Sequence, residues 1–163
     1  MIQENRCGRI LGTVLLFGLA LTWGLLAQSA RAAKTSDSVI NVTATADKPD
    51  GEGKQVVTIT LNIDKGWHAY ANPIGSKDFP GLPTQVTVKA DNKAQKVKID
   101  YPKGKQVMDK DFGNHFIYED KAVIKATVSR AKGDTGPLEV SVRVQACDKS
   151  KCLMPATVKL TVK

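Results

Sequence analysis

From Val39 onward the chain alternates apolar and polar residues at period two, and β-branched residues fill most of the apolar positions. That is the period of a strand, whose successive side chains point to opposite faces. Residues 39–44 predict a first strand. Residues 56–63 predict a second, with Val57, Ile59, Leu61 and Ile63 on one face. Between them Asp47-Lys48-Pro49-Asp50-Gly51-Glu52-Gly53 carries strong turn chemistry. Residues 72–83 read as a loop rich in proline and glycine. Residues 84–90 and 96–101 follow as short strands joined at Asp91-Asn92, and residues 102–114 predict a second long loop. Residues 116–129 are strand material with a turn at Glu119-Asp120. Residues 132–137 form another turn, and residues 138–146 and 156–162 predict the last two strands. No segment holds a helical period. About eight short strands separated by turns predict an all-β domain, an immunoglobulin-like antiparallel β-sandwich.

The first 32 residues follow a different pattern. Arg6 and Arg9 give a basic start, an apolar run spans residues 10–27, and Ala30-Arg31-Ala32 is a small-x-small cleavage signal. This is the layout of a secretory signal peptide. The run is long enough to cross a bilayer. Gly12, Thr13, Gly18, Thr22 and Gly24 dilute it, so residues 1–32 are read as a peptide removed on export, taking Cys7 with them. The expected mature domain is residues 33–163, of a size that suits one core, with no stable membrane insertion after cleavage.

Charge narrows the partners. Residues 1–32 contain Arg6, Arg9, Arg31 and Glu4, so the remainder carries +6 of the chain's +8. Its lysines are scattered between apolar residues, as on a solvated strand face. Nucleic-acid binding asks for a basic stripe with stacking aromatics, and none is present, so no nucleic-acid partner is expected.

The candidate chemistry lies in Gln145-Ala146-Cys147-Asp148-Lys149-Ser150-Lys151-Cys152-Leu153-Met154-Pro155, at the tip of the last hairpin. Val140, Val142, Val144 and Ala146 share one face of the penultimate strand, and Ala156, Val158, Leu160 and Val162 share one face of the last. Opposed residues of an antiparallel pair have a constant sum of numbers. Burying both faces requires an even sum, whereas direct opposition of Cys147 and Cys152 requires an odd one. A disulfide therefore predicts a β-bulge or irregular turn between Ala146 and Ala156, at or near Pro155, which cannot donate a ladder bond. Parity also puts Cys147 opposite the valine face, where its thiol is expected to be accessible. Closing a ring this short stabilises by only about 2 kcal/mol, so the spacing makes a poor staple and a workable switch. Lys149 and Lys151 favour a nearby thiolate and Asp148 opposes them.

Gly66-Trp67-His68-Ala69-Tyr70, Tyr101-Pro102, the stretch from Asp109 to Tyr118 and the Gln-Ala-Cys…Cys-Leu-Met-Pro hairpin together resemble the N-terminal periplasmic domain of the thiol:disulfide interchange protein family DsbD. The resemblance covers essentially the whole of residues 33–163, and the hairpin is its most specific part. It implies an immunoglobulin-like fold in the periplasm that relays electrons by thiol–disulfide exchange. The partners it implies are a membrane electron carrier with a thioredoxin-like donor domain, and thioredoxin-fold acceptors, met through transient mixed disulfides. It assigns attack to Cys152 and resolution to Cys147. It also implies a cap over the pair, with Phe112 as the aromatic, Asp109 and Asp111 as the acidic residues, and His68 and Tyr70 where the family has two tyrosines. The chain departs from that pattern in three places. Four residues rather than five separate the cysteines, Asp111 stands where a second cap aromatic is expected, and His68 replaces a tyrosine. The sequence holds neither the transmembrane carrier nor the thioredoxin-like domain, so separate proteins are expected to supply the electrons.

Two other readings compete. One is an exported β-sandwich interaction module with a purely structural hairpin disulfide, which two cysteines in an exported chain ordinarily make. The other is a soft metal site from Cys147, Cys152, Met154 and His115, of a kind that selects Cu(I). Its spacing matches no common closed site, and no metal or cofactor is expected. Trp67 is read as a core or loop anchor, and His68 and His115 on their own as surface or packing residues.

Overall fold

A computed structural model of the protein describes residues 33–90, 96–110 and 113–163. Among the described residues there are eleven strands: β1 (Ile40–Ala46), β2 (Lys54–Ile63), β3 (His68–Gly75), β4 (Gln85–Ala90), β5 (Lys96–Asp100), β6 (Lys105–Val107), β7 (His115–Tyr118), β8 (Lys121–Ser129), β9 (Leu138–Val144), β10 (Ala146–Cys147) and β11 (Ala156–Val162). A short 3-10 turn, Ser36–Ser38, precedes β1 and is the only helical element among the described residues. The strands form three antiparallel sheets, ordered β1-β2-β8-β5, β10-β3-β7-β6 and β11-β9-β4. This is the expected immunoglobulin-like antiparallel sandwich.

The period-two pattern explains the core. Val57, Ile59, Leu61 and Ile63 of β2 are all buried, as are Ala122, Ile124, Ala126 and Val128 of β8, which pairs with it. They meet Val86 and Val88 of β4 and Leu138, Val140, Val142 and Val144 of β9. Burying an aliphatic side chain of this size contributes about 1.5–3 kcal/mol. A one-residue slip of either sheet would turn its whole set to water, so the register is fixed. The lysines at 89, 96, 98, 121, 125 and 159 lie on the exposed faces.

Three expectations need correction. The eight strands become eleven because β3, β6 and β10 are short or irregular pieces that the alternation does not mark. Residues 72–83 are not loop throughout. β3 continues to Gly75, with a register shift against β7 between Tyr70 and Gly75 that accommodates Pro73. Likewise residues 102–114 contain β6. The strands on either side of Asp91-Asn92 lie in different sheets, β4 pairing with β9 and β5 with β8. Asp91-Asn92 itself, and the residues read as a signal peptide, lie outside the described residues.

A buried cation pins the turns before β9. The Arg130 side chain donates from Nη1 to Gln55 Oε1 (2.6 Å) and from Nη2 to Asp134 Oδ1 (2.9 Å) and the Gly136 carbonyl (2.6 Å). Gln55 Nε2 in turn donates to the Asp47 carbonyl (2.7 Å). The cysteines follow the other end of β9.

Candidate active site

The last hairpin resolves the parity conflict as the sequence predicts. β9 and β11 pair with an even sum, from Val162↔Leu138 to Ala156↔Val144, while Cys147 and Cys152 face each other with an odd one. Between the two registers, Gln145 and Ala146 on one arm oppose Leu153, Met154 and Pro155 on the other. The extra residue is the bulge, and Pro155 is in it. Beyond it the cysteines form a disulfide, with Cα atoms 4.0 Å apart. Asp148 ties the tip. Its Oδ1 accepts from the backbone N–H of Ser150 (2.7 Å) and Lys151 (2.8 Å) and from the Ser150 hydroxyl (2.9 Å). The two N–H bonds hold its carboxyl below the usual carboxylate range. The Asp-x-Ser sequence signals such a turn, but the sequence reading weighed Asp148 only as a charge.

The expected exposure of Cys147 is wrong. Parity does put it on the face opposite the valines, since Ala146 packs into the large core and Cys147 into a second, small cluster with Tyr70 and Ile117. That opposite face is not open to water. After Val144 the chain leaves its sheet and joins another, where Ala146 pairs with Ala69 and Cys147 with His68. Ile74 in β3, Phe79 in the segment after it and Val107 in β6 cover the new face. Cys147 is 1% exposed. Cys152, on the other arm, is exposed. The pair is therefore asymmetric, with one sulfur buried and one presented to solvent.

Aromatic side chains pack around this pair. The Tyr70 hydroxyl is 3.9 Å from Cys152 Sγ. The Tyr70 ring meets His68 edge-on at 5.6 Å, Phe79 at 5.0 Å and His115 at 6.0 Å between centroids, and Phe79 stacks on His115 at 4.1 Å. Burial raises the Tyr70 pKa, and the negative charge of Asp109 raises it further. Burial lowers the His68 pKa, His115 lowers it too, and Glu119 and Asp148 work against them. Thr84 anchors the covering segment by donating its N–H (2.9 Å) and hydroxyl (2.7 Å) to the Tyr70 carbonyl. Gly81 is required there, because a Cβ would collide with the rings of Phe79 and Tyr70.

The structure brings Cys147, Cys152, His68 and Tyr70 together, and Asp109 acts electrostatically on Tyr70. Asp111 and Phe112 lie outside the described residues. Phe79 and the packing role of His115 against it were missed, because their meeting depends on a non-local fold of the 75–83 segment. Trp67 packs against the main core, as an anchor should. Among the described residues no group of three or more His, Cys, Asp or Glu side chains is arranged to hold a metal ion. No helix among them is long and apolar enough to cross a membrane.

Solved structures share the fold. The N-terminal domain of Neisseria meningitidis DsbD in its reduced form aligns at 19% identity, covering 78% of this chain and 86% of that one, with a TM-score of 0.52. The N-terminal periplasmic domain of ScsB from Proteus mirabilis aligns at 18% identity over 76% of this chain and 46% of that one, with a TM-score of 0.55. No curated protein sequence matches the chain. The family model for the N-terminal region of the thiol:disulfide interchange protein DsbD matches residues 36–163, a span that takes in β1 to β11 and both Cys147 and Cys152. A β-sandwich with an asymmetric disulfide in its last hairpin, matched over that span, belongs to the DsbD N-terminal family, whose chemistry is thiol–disulfide exchange.

Proposed function

We propose that this domain works in the periplasm as an electron relay, taking reducing equivalents from a membrane-linked thioredoxin-like donor and passing them to thioredoxin-fold acceptors. Residues 1–32 act as the export signal in this reading. The observation that carries it is the asymmetry of the disulfide, with Cys152 exposed and Cys147 buried behind it. A macromolecular partner can reach only an accessible sulfur.

In the loading half, a thiolate of the donor attacks Cys152 Sγ. The Cys147–Cys152 bond breaks, Cys147 leaves as a thiolate and takes a proton, and a mixed disulfide forms. The donor's second thiol displaces Cys152, leaving the domain with two thiols and the donor with a disulfide. In the unloading half, the Cys152 thiolate attacks an acceptor disulfide. Cys147 then attacks Cys152 Sγ, restoring the intramolecular bond and releasing the acceptor as a dithiol. Two electrons and two protons pass in each half. Tyr70, His68, Asp109, Asp111 and Phe112 shield the pair between encounters, and Phe79 adds to the shield on the Cys147 side.

Trapping tests the proposal. A Cys147→Ser variant expressed in the periplasm accumulates mixed disulfides through Cys152, because the resolving thiol is gone. If only Cys152→Ser traps partners, the roles are reversed. If neither does, and the disulfide has a potential below about −300 mV, the bond is a structural staple and the relay is wrong.

A further inference from the structure

Ser36 comes from the 3-10 turn before β1, yet it is completely buried against the cysteine hairpin. Its position repairs a defect. Leu153 donates its N–H to the Ala146 carbonyl (2.8 Å). In an uninterrupted antiparallel pair Ala146 would return a bond to the Leu153 carbonyl. The bulge diverts it. Ala146 N–H instead donates to Ser36 Oγ (2.9 Å), and that hydroxyl donates onward to the Met154 carbonyl (2.8 Å), which also accepts the Ser36 N–H (2.9 Å). One hydroxyl thereby replaces the missing rung between the two arms, on the cysteine side of the register change. A buried N–H without a partner would be costly here.

We propose that Ser36 is a positioning residue for the redox pair, its hydroxyl holding the bulge so that the two thiols stay within bonding reach after the disulfide opens. With the bond closed, the covalent link holds the arms together and the brace is redundant. With it open, the brace joins the Leu153–Ala146 bond and the Asp148 turn in keeping Cys152 over the buried Cys147. The fraction of reduced hairpins ready to reclose sets the equilibrium. Removing the brace lowers that fraction and leaves the pair more easily reduced. The inference rests on the relay reading only in taking the pair to open and close.

The test is equilibration with glutathione, whose balance is simple. Two glutathione thiols give their electrons and protons to the bond, yielding two protein thiols and one glutathione disulfide. In Ser36→Ala the equilibrium constant for reforming the protein disulfide falls about tenfold. Ser36→Thr, which keeps the hydroxyl, returns it to within about threefold of the native value. Urea unfolding of the oxidised and reduced forms is measured alongside. An unchanged glutathione constant, with both forms destabilised equally, would assign Ser36 a merely structural role and overturn the proposal. Should Ser36→Ala fail to fold, amide exchange at Ala146 in the unaltered protein decides. Protection in both redox states is expected, and loss of protection on reduction would sink the idea. No protein partner enters either measurement, so the result is independent of mixed-disulfide trapping.

Discussion

The hydroxyl of Tyr70 points at the sulfur of Cys152 across 3.9 Å, while the same ring is wedged against Phe79. The residue thus contacts the exposed sulfur and the cover over the buried one. In the reduced state a hydroxyl so placed donates to the Cys152 thiolate and favours it. Tyr70→Phe keeps the ring packing and loses only that donor. Alkylation of reduced Cys152 at neutral pH should slow about threefold, with little change in unfolding midpoint. Stopped alkylation followed by mass spectrometry reads this directly.

Gly81→Ala tests the covering segment. The added methyl meets the rings of Phe79 and Tyr70, so one of them must move. Overpacking of this kind costs about 1–3 kcal/mol. Reduction of the native disulfide by a small dithiol should also speed up, because the face over Cys147 loosens. A variant with lower stability but an unaltered reduction rate would show that this segment does not guard the bond.

The pH dependence of folding should carry the mark of His68. Its folded pKa lies below the ordinary 6.5, chiefly through burial. The unfolded chain therefore binds more protons than the folded one between that lowered value and 6.5. Stability is fully present above about pH 6.5 and declines as the pH falls through this window. Glu119 and Asp148 oppose the shift and His115 reinforces it. Urea midpoints across this range should fall with acidity, and His68→Gln should flatten the part due to this residue.

Arg130→Met separates scaffold from site. The guanidinium is buried, with a side chain 1% exposed, and it satisfies Gln55, Asp134 and Gly136 at once. Its loss should destabilise the domain by about 3 kcal/mol, since the groups it served lose their partner. The glutathione equilibrium should not move, because the network lies before β9 and the cysteines follow it.

What the sequence revealed depended on how local the physics was. Val57, Ile59, Leu61 and Ile63 declared a buried face because alternation in one strand suffices to show it. The bulge at Leu153–Pro155 was legible for the same reason, since two neighbouring registers of opposite parity cannot be joined without an extra residue. The burial of Cys147 was not legible. Parity gives a direction, but only the packing of Ile74, Phe79 and Val107 shows what lies in that direction. His115 and Ser36 were opaque for a related reason. Each meets the site across a long stretch of chain, His115 through Phe79 and Ser36 through Ala146 and Met154.

Gln145 marks where the chain crosses from one sheet to the next, and Ala146 and Cys147 beyond it answer to different interiors. Such a division makes the domain modular at the scale of single residues. Substitutions among Tyr70, Ile74, Phe79 and Val107 can retune the sulfurs while the large valine-rich interior goes on supplying the folding energy. A designer, or natural drift, has a dial for reactivity set apart from the main interior.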